Sequence, residues 1–386
     1  MVEAMELQKE FKKTEVGIIP SDWEVKKLGD LSNMKSGETI TSKSISKFDT
    51  YPCYGGNGLR GHTYRFTHNG DFALIGRQGA LCGNVQYVKG EFFASEHAVV
   101  VTPNAKTEIK WLYYILTDMN LNQYSESSAQ PGLSVAKMLN LKIPLPPTKA
   151  EQTAIAAALN DADALITQLE KLIAKKRNIK QGAMQELLRP KDGWEVKALG
   201  DIAEIKDGTH QTPKYFDSGI PFYSVENVTA NDFTNTKFIS QKEHDFLTKN
   251  WKIEKGDILM TRIGSIGNCK YVGWDVNASF YVSLALLKVK KEYSAKFICQ
   301  YSKYSLFKRE IEMNSLLFAY PKKINLGQIS KVKVVIPKSI EEQTPIAQIL
   351  SDMDTEIEAL EKKLEKYKMI KQGMMQNLLT GKIRLV

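Results

Sequence analysis

Two motifs occur twice in this chain, and their spacing limits the folds available to it. Glu151-Gln152-Thr153 returns as Glu342-Gln343-Thr344, and Lys180-Gln181-Gly182 returns as Lys371-Gln372-Gly373. The differences 342 − 151 and 371 − 180 both equal 191, so the two copies align without a gap. We therefore interpret the 386-residue chain as an internal duplication.

Each copy carries a stripe of apolar residues at helical spacing. The steps alternate between four and three residues, an average of 3.5 that keeps one seam facing a partner helix. Because such a helix is poorly stable alone in water, the stripe predicts either that the two copies pair or that each packs on its neighbouring domain; its length favours pairing. The seam positions are Ile155, Leu159, Ala162, Ile166, Leu169, Ile173 and Lys176 in the first copy, and Ile346, Leu350, Met353, Ile357, Leu360, Leu364 and Tyr367 in the second.

Local signals define where both helices begin and where they weaken. A hydroxyl residue three positions before a glutamate is the spacing of a capping box, in which hydroxyl and carboxylate satisfy free amides. Near the other ends, Gly182 and Gly373 lower helix propensity, which predicts a kink or a close helix contact. The two boxes are Thr148 with Glu151 and Ser339 with Glu342.

The regions between the helices favour small α+β domains. Each begins with a proline-containing turn and a Trp-Glu-Val-Lys strand, and each ends in a proline-terminated strand that separates domain from helix. The predicted β-rich runs are 71–75, 83–88, 97–102, 257–261, 269–272 and 283–289, and the predicted helical segments are 110–119 and 295–310. The predicted boundaries are 1–148 for the first domain, 149–188 for the first long helix, 189–338 for the second domain and 339–386 for the second long helix.

Composition restricts the class of partner and the compartment. A net charge of +9 and a pI near 9.0 favour a polyanionic partner, although surplus lysine also serves solubility. The four cysteines are far apart and form no C-x-x-C pair, which is typical of thiols in a reducing compartment. No run approaches the ~18 apolar residues of a membrane span, and residues 1–13 contain no apolar signal segment, so we expect a cytoplasmic protein.

Motifs of common enzymes are absent from the sequence. There is no G-x-x-x-x-G-K-[ST] phosphate loop, no H-E-x-x-H, no Cys/His cluster with zinc spacing, and no Asp- or Asn-Pro-Pro-aromatic motif of an adenine methyltransferase. Glu96 and His97 could act as acid and base, but adjacent residues of a strand point to opposite faces. We expect no catalytic residue and no metal site.

A glycine-rich motif distinguishes each domain, at residues 70–84 and 256–268. A Gly-Asp turn leads into a buried strand, followed by Arg-x-Gly and Gly-Asn, with Arg77 and Arg262 as the arginines. In one interpretation the arginine meets a phosphate or a base edge. In the other, a tight hairpin uses glycines at positive φ and the arginine pairs with a carboxylate. The second is favoured, because a motif shared by two otherwise different domains is more typical of a scaffold.

Five motifs, most of them present twice, are distributed along the chain: the Gly-Ile-Ile-Pro-Ser-Asp-Trp entry, Gly-Asp-x-x-Leu, the Ile-Pro-Leu-Pro-Pro exit, the Glu-Gln-Thr helix start and the Lys-Gln-Gly-x-Met-Gln-x-Leu-Leu helix end. In this order they resemble the motifs of the DNA sequence-specificity (S) subunit of type I restriction-modification systems, over essentially the whole length. The resemblance implies two target-recognition domains joined by two conserved helices that pair antiparallel, with pseudo-twofold symmetry. It also implies no catalytic activity in this chain: S-adenosylmethionine is expected on two methyltransferase subunits, and ATP and magnesium on restriction (motor) subunits.

The two domains differ in a segment that also resembles family members. Residues 207–215, Asp-Gly-Thr-His-Gln-Thr-Pro-Lys-Tyr, are similar to a recurring opening of target-recognition domains, whereas the first domain has Ser-Gly-Glu-Thr-Ile at 36–40. We therefore expect the halves to recognise different double-stranded DNA sequences, one half-site each, with the helix pair setting their separation.

Polar loop residues suited to base edges are the candidate DNA contacts, with a solvated loop residue as the alternative for each. These are Asn57, Arg60, His62, Arg77 and Gln78 in the first domain, and His210, Lys214, Tyr223, Asn227 and Arg262 in the second. The candidates for methyltransferase docking, with capping and solvation as the alternative, are Glu151, Gln152, Gln181, Glu342, Gln343 and Gln372.

Two other functional classes remain open at this point. A structural tether could use the same helices to link two protein-binding modules, and it would bind a methyltransferase without DNA preference. An enzyme acting alone would show activity as a purified chain, which the missing motifs disfavour.

Overall fold

The computed structural model describes residues 10–79, 81–125, 131–316 and 318–385. The chain divides into two compact units, each with its own hydrophobic core. Unit 1 comprises Met1–Glu170 with Lys362–Val386, and unit 2 comprises Lys171–Glu361. Each unit therefore contains one globular domain and a portion of both predicted long helices.

The strands of unit 1 are β1 (Phe11–Thr14), β2 (Gly17–Pro20), β3 (Glu24–Lys27), β4 (Ser32–Ser36), β5 (Tyr51–Gly55), β6 (Gly58–Thr63), β7 (His68–Gly76), β8 (Val85–Ala94), β9 (Ala98–Pro103) and β10 (Lys142–Leu145). They form a six-stranded sheet of order β4-β9-β7-β8-β5-β6 and the two-stranded pairs β1-β2 and β3-β10. The helices of this domain are α1 (Leu28–Leu31), α2 (Ile109–Asp118) and α3 (Val135–Leu139).

The strands of unit 2 are β11 (Glu195–Ala198), β12 (Ala203–Asp207), β13 (Ile220–Tyr223), β14 (Lys237–Ile239), β15 (Ile258–Thr261), β16 (Cys269–Tyr271), β17 (Ser279–Phe280), β18 (Leu284–Val289) and β19 (Lys333–Ile336). They form a four-stranded sheet, β12-β18-β15-β16, a three-stranded sheet, β14-β13-β17, and the pair β11-β19. The helices are α5 (Leu199–Ile202), α6 (Val225–Ala230), α7 (Gln241–Leu247), α8 (Ala295–Tyr301), α9 (Ser305–Asn314) and α10 (Leu326–Ile329).

The predicted α+β character is confirmed, with one difference in the helices. The segment predicted as one helix over 295–310 is two helices, α8 and α9, because the backbone of Tyr304 is extended (ψ 149°) and caps the second one. Among the described residues, no helix is both long and apolar enough to cross a membrane.

The entry and exit strands of each domain pair with each other. β3 is antiparallel to β10 and β11 to β19, so each Trp-Glu-Val-Lys segment lies against the proline-terminated strand of the same domain. Trp23 is fully buried in the first core, whereas Trp194 is half-buried and donates its indole N–H to Glu342, 2.9 Å away. Trp194 thus links the second domain to the start of its following long helix, where Glu342 lies.

The long helices are α4 (Lys149–Leu187) and α11 (Ile340–Leu378). In unit 2, Lys176 pairs with Glu356 at 2.6 Å and Lys180 pairs with Asp354. In unit 1, Lys371 pairs with Asp163 at 2.5 Å, and Lys368 lies 3.8 Å from Glu170. Residue numbers rise along one helix as they fall along the other, so the paired segments within each unit run antiparallel, and the predicted self-pairing is confirmed.

Every predicted seam position is buried or half-buried. The first turns of each stripe also pack on a domain: Ile155 and Leu159 belong to the core of unit 1, and Ile346 and Leu350 to the core of unit 2. The two explanations for the stripe therefore both hold, because the helix starts serve the domains and the later turns serve the helix pair.

Half of each predicted capping box forms. The hydroxyls of Thr148 and Ser339 accept from the amides three residues on, at 3.1 and 3.3 Å. The close helix contact predicted at Gly182 and Gly373 is wrong, because a Cβ atom built at either position meets nothing within 4 Å. Neither glycine is required by packing inside this chain.

Candidate nucleic-acid interface

A hairpin carries three of the candidate DNA contacts of the first domain. Strands β5 and β6 are joined by a two-residue turn at Gly56 and Asn57, followed by Gly58 at φ +89°. Asn57 and Arg60 are exposed on this hairpin, and His62 is half-buried. The turn therefore presents an amide and a guanidinium to solvent.

Exposed aromatic side chains flank the same hairpin, and the sequence did not identify them. Phe48 is 95% exposed and Tyr64 is 73% exposed. Exposed apolar side chains of this size are available for contact with a partner. No periodic signal marks them, because they lie outside regular core positions. Phe48 precedes β5 and Tyr64 follows β6, so exposed aromatic surface lies at the end of the hairpin opposite its turn.

The arginines of the two glycine-rich motifs make equivalent hydrogen bonds. Arg77 donates through Nη1 to the hydroxyl of Ser36 at 2.8 Å, and Arg262 donates through Nη1 to Asp207 at 2.5 Å. Ser36 and Asp207 are the last residues of β4 and β12, respectively. Each arginine therefore fastens its hairpin to the end of a strand two places away in the same sheet. Arg262 pairs with a carboxylate, as the structural interpretation requires.

Glycine follows the fastened residue in both domains. A Cβ atom at Gly37 would collide with the backbone of Ala94, and one at Gly208 with the backbone of Phe280. The chain must pass this point with its backbone in contact with a neighbouring strand, which only glycine permits. The loops that follow are therefore held at their base, and they are the segments that differ between the domains.

The second domain has a cleft of about 590 Å³ beside this loop, lined by both polar and aromatic side chains. In the lining of this cleft, Lys237 is 4.7 Å from the centroid of Tyr215. Next along the chain to Tyr215, Lys214 is 5.4 Å from the centroid of Phe216. The residues lining the cleft include Thr212, Tyr215, Phe222, Glu226, Lys237 and Tyr281. Cations and aromatic faces in alternation are typical of nucleic-acid surfaces.

The structure separates the candidate DNA contacts into exposed and internal side chains. Tyr223 belongs to a hydrophobic core, and Asn227 uses its amide to bond Ser224, Asp232 and Asn235. With Arg262, both are buried, and their packing and hydrogen bonds support the loops. Asn227 also lines the cleft. The exposed candidates are Asn57, Arg60, Gln78, His210 and Lys214.

Three of the candidate docking residues are also internal. Gln152 accepts from the amide of Glu108, and Gln343 from that of Ser294, both at 2.8 Å. Glu108 and Ser294 are the N-caps of α2 and α8, so the same glutamine joins each long helix to a domain helix. The Gln of the Glu-Gln-Thr motif therefore has a structural function in both copies.

Glu151 is fully buried and binds the side chain of Arg384, whose Nη2 lies 2.9 Å from the carboxylate. Its counterpart Glu342 is exposed and accepts from Trp194 instead. The two remaining candidates, Gln181 and Gln372, are exposed on the long helices. Exposed candidates for partner docking are thus Gln181 and Gln372 in the Lys-Gln-Gly motifs and Glu342 at one helix start.

A cluster of charges joins the helices in unit 2. Asp354 accepts from Lys180, from Lys303 at 2.7 Å and from the amide of Gln300 at 3.0 Å. Burial by itself raises the pKa of the Asp354 carboxyl, but the charge of Lys303 and these hydrogen bonds outweigh it and hold the pKa below its ordinary value of 3.8. The carboxylate therefore stays ionised between the helices.

Comparison with known families places these features in context. The model of the type I restriction modification DNA specificity domain matches residues 20–181 and again residues 191–368. The chain belongs to this type I restriction-modification DNA specificity family. It is a specificity subunit with two such domains, a non-catalytic component concerned with DNA target recognition.

Individual relatives agree with this family assignment. The chain is 47% identical to the specificity subunit of the Escherichia coli type I restriction enzyme EcoprrI over 37% of either chain. It is 28% identical to a putative specificity subunit, MjaX, of Methanocaldococcus jannaschii over 100% of both chains. The crystal structure of the type I S subunit of M. genitalium superposes with a TM-score of 0.72 at 20% identity, covering 96% of this chain and 98% of that one, which shows a shared fold.

Proposed function

We propose that this specificity subunit recognises an asymmetric, two-part sequence in double-stranded DNA, one part per domain. The observation that carries the proposal is that equivalent arginines fasten equivalent strand ends, yet the loops that follow are different. A shared frame with unlike loops suits two unlike half-sites. The hairpin of the first domain and the cleft rim of the second provide the exposed cations and amides for phosphate and base contacts.

The helix pair is proposed to set the separation of the half-sites. Each long helix contains 39 residues. At ~1.5 Å per residue this corresponds to about 58 Å, which is longer than one ~34 Å turn of DNA. The ion pairs and buried seam that join the helices within each unit support this role as a spacer.

We propose the exposed helix faces around Gln181 and Gln372 as docking surfaces for two methyltransferase subunits. The adjacent glycines have open space around them, so a partner helix could approach the backbone closely there. In this scheme S-adenosylmethionine belongs to the methyltransferase subunits, and ATP and magnesium to restriction subunits that join them. The complex would act on DNA in the cytoplasm.

The test is to co-express the chain with the methyltransferase subunit of its own system and to map methylated adenines across the host genome. We expect one asymmetric motif of two short specific parts separated by unspecified bases. A contiguous motif would contradict the two-part proposal. Binding of methyltransferase with no sequence preference in the methylated sites would instead support the structural tether.

A further inference from the structure

The bond between Arg262 and Asp207 in the second domain extends to an exposed histidine. Asp207 accepts from Arg262 through Oδ1, and its Oδ2 lies 2.7 Å from Nε2 of His210. Arg262 is 4% exposed and its backbone is fixed by bonds to Ser283 and Ile324, whereas the side chain of His210 is 69% exposed. The buried guanidinium therefore orients the carboxylate, and the carboxylate orients a histidine that faces solvent.

The first domain has the equivalent arginine bond but no histidine beyond it. Arg77 ends on the neutral hydroxyl of Ser36, and the position equivalent to His210 is held by Thr39, also exposed. Arg262 is more deeply buried than Arg77, so its charge requires the carboxylate of Asp207. The same carboxylate also bonds His210, and among its described residues the first domain has no equivalent of this second bond.

The carboxylate also determines which nitrogen of His210 carries the proton. An ionised carboxylate only accepts hydrogen bonds, so the facing Nε2 must carry a hydrogen. In neutral imidazole the other nitrogen, Nδ1, is then an acceptor. Within the described part of the chain Nδ1 has no hydrogen-bond partner. The loop thus presents an oriented acceptor, whose complement in a DNA groove is an exocyclic amino group.

We propose that His210 recognises an amino-bearing base, adenine or cytosine, at one position of the half-site of the second domain, and that Asp207 and Arg262 are positioning residues that fix its tautomer. This inference rests on the proposed function. It assigns Arg262 an indirect part in recognition, in place of a direct base contact.

The test uses the complex with the methyltransferase and a plasmid library in which each half-site is randomised in turn. We expect the wild-type complex to favour adenine or cytosine at one position of one half-site. His210→Ala should reduce that preference roughly five- to tenfold, the value of one hydrogen bond, with the other half-site unchanged. Thr39→Ala is the matched control and should leave that position as it is.

Asp207→Asn gives a result that loss of folding cannot imitate. Its amide can donate to Nε2, which moves the proton to Nδ1 and turns the outward nitrogen into a donor. We expect the preference at that position to move from amino-bearing to keto-bearing bases, thymine or guanine. If Asp207→Asn does not fold, His210→Ala decides alone. An unchanged profile for His210→Ala overturns the inference while leaving a two-part wild-type motif intact; absence of that motif overturns the proposed function itself.

Discussion

Lys180 on α4 and Asp354 on α11 form an ion pair whose duplicate is Lys371 with Asp163. Lys180 and Lys371 are equivalent in the 191-residue repeat, and so are Asp163 and Asp354. Each helix therefore contributes the lysine to one pair and the aspartate to the other. The additional partners differ: Asp163 accepts from Tyr114 at 2.8 Å, whereas Asp354 accepts from Lys303 and Gln300. The two halves share the Lys–Asp ion pair between the helices, but different side chains supply the additional hydrogen bonds to the aspartate.

Removal of the Asp354 carboxylate should destabilise unit 2. Asp354→Ala leaves the ammonium of Lys180, only 11% exposed, without its partner. Breaking such a pair costs about 3 kcal/mol in free energy of unfolding, measurable by urea denaturation followed by circular dichroism. Asp352→Ala, an exposed aspartate nearby, is the control and should cost less than about 1 kcal/mol. Equal losses from both variants would show that the pair does not hold the helices.

The contribution of Asp354 should depend on pH in a defined direction. Its pKa in the folded protein lies below the ordinary value of 3.8, so its stabilising effect is complete above that value and is lost as the pH falls through the folded pKa. We expect the difference in unfolding free energy between wild type and Asp354→Asn to be constant from pH 7 to 5. It should shrink below pH 4 or so. A difference that grows on acidification would contradict the direction assigned to this group.

The paired glutamines should matter for stability rather than for partner binding. Gln152→Ala or Gln343→Ala leaves an amide at the N-cap of α2 or α8 without its acceptor, at a cost of about 1–3 kcal/mol. Gln181→Ala removes an exposed glutamine and should change stability by less than about 0.5 kcal/mol. Thermal unfolding of the three variants separates these outcomes. Similar midpoints for all three would mean that the buried glutamines do not join helix and domain.

The two helix glycines should be replaceable in the isolated chain. Because nothing lies within 4 Å of a Cβ at Gly182 or Gly373, alanine at either should stabilise the helix by about 0.5–1 kcal/mol. A large residue, as in Gly182→Leu, should fit the free chain equally well but weaken methyltransferase binding, measured by titration calorimetry. Glu186→Leu, on an exposed position of the same helix end, is a control for added apolar surface. Unimpaired binding of Gly182→Leu would remove this face from the proposed docking surface.

Lengthening both helices together should alter the target. Insertion of seven residues after Glu170 and seven after Glu361, equivalent positions of the repeat, preserves the 3.5-residue seam and adds about 10 Å to each helix. We expect methylated sites with both half-sites unchanged and a different number of base pairs between them. Methylation mapping as above measures this directly. An unchanged spacing would mean that the helices do not set the distance.

The architecture was predictable from local sequence patterns. The repeat interval, the 3.5-residue seam and the proline exits were sufficient for two α+β domains and two paired helices, because periodicity and backbone restriction act locally and are visible in a single chain. The helix starts were also predictable, to within two residues at Lys149 and Ile340.

Tertiary structure alone decided what the individual polar side chains do. Gln152 and Arg262 are residue types common at surfaces, yet both are buried. Each is hydrogen-bonded to a residue distant in sequence, Glu108 and Asp207 respectively. Conversely, Phe48 has the type of a core residue and is exposed. Hydrogen-bond partners more than 40 residues away leave no periodic signal, so only the folded chain shows which polar groups are already satisfied and which remain available to DNA.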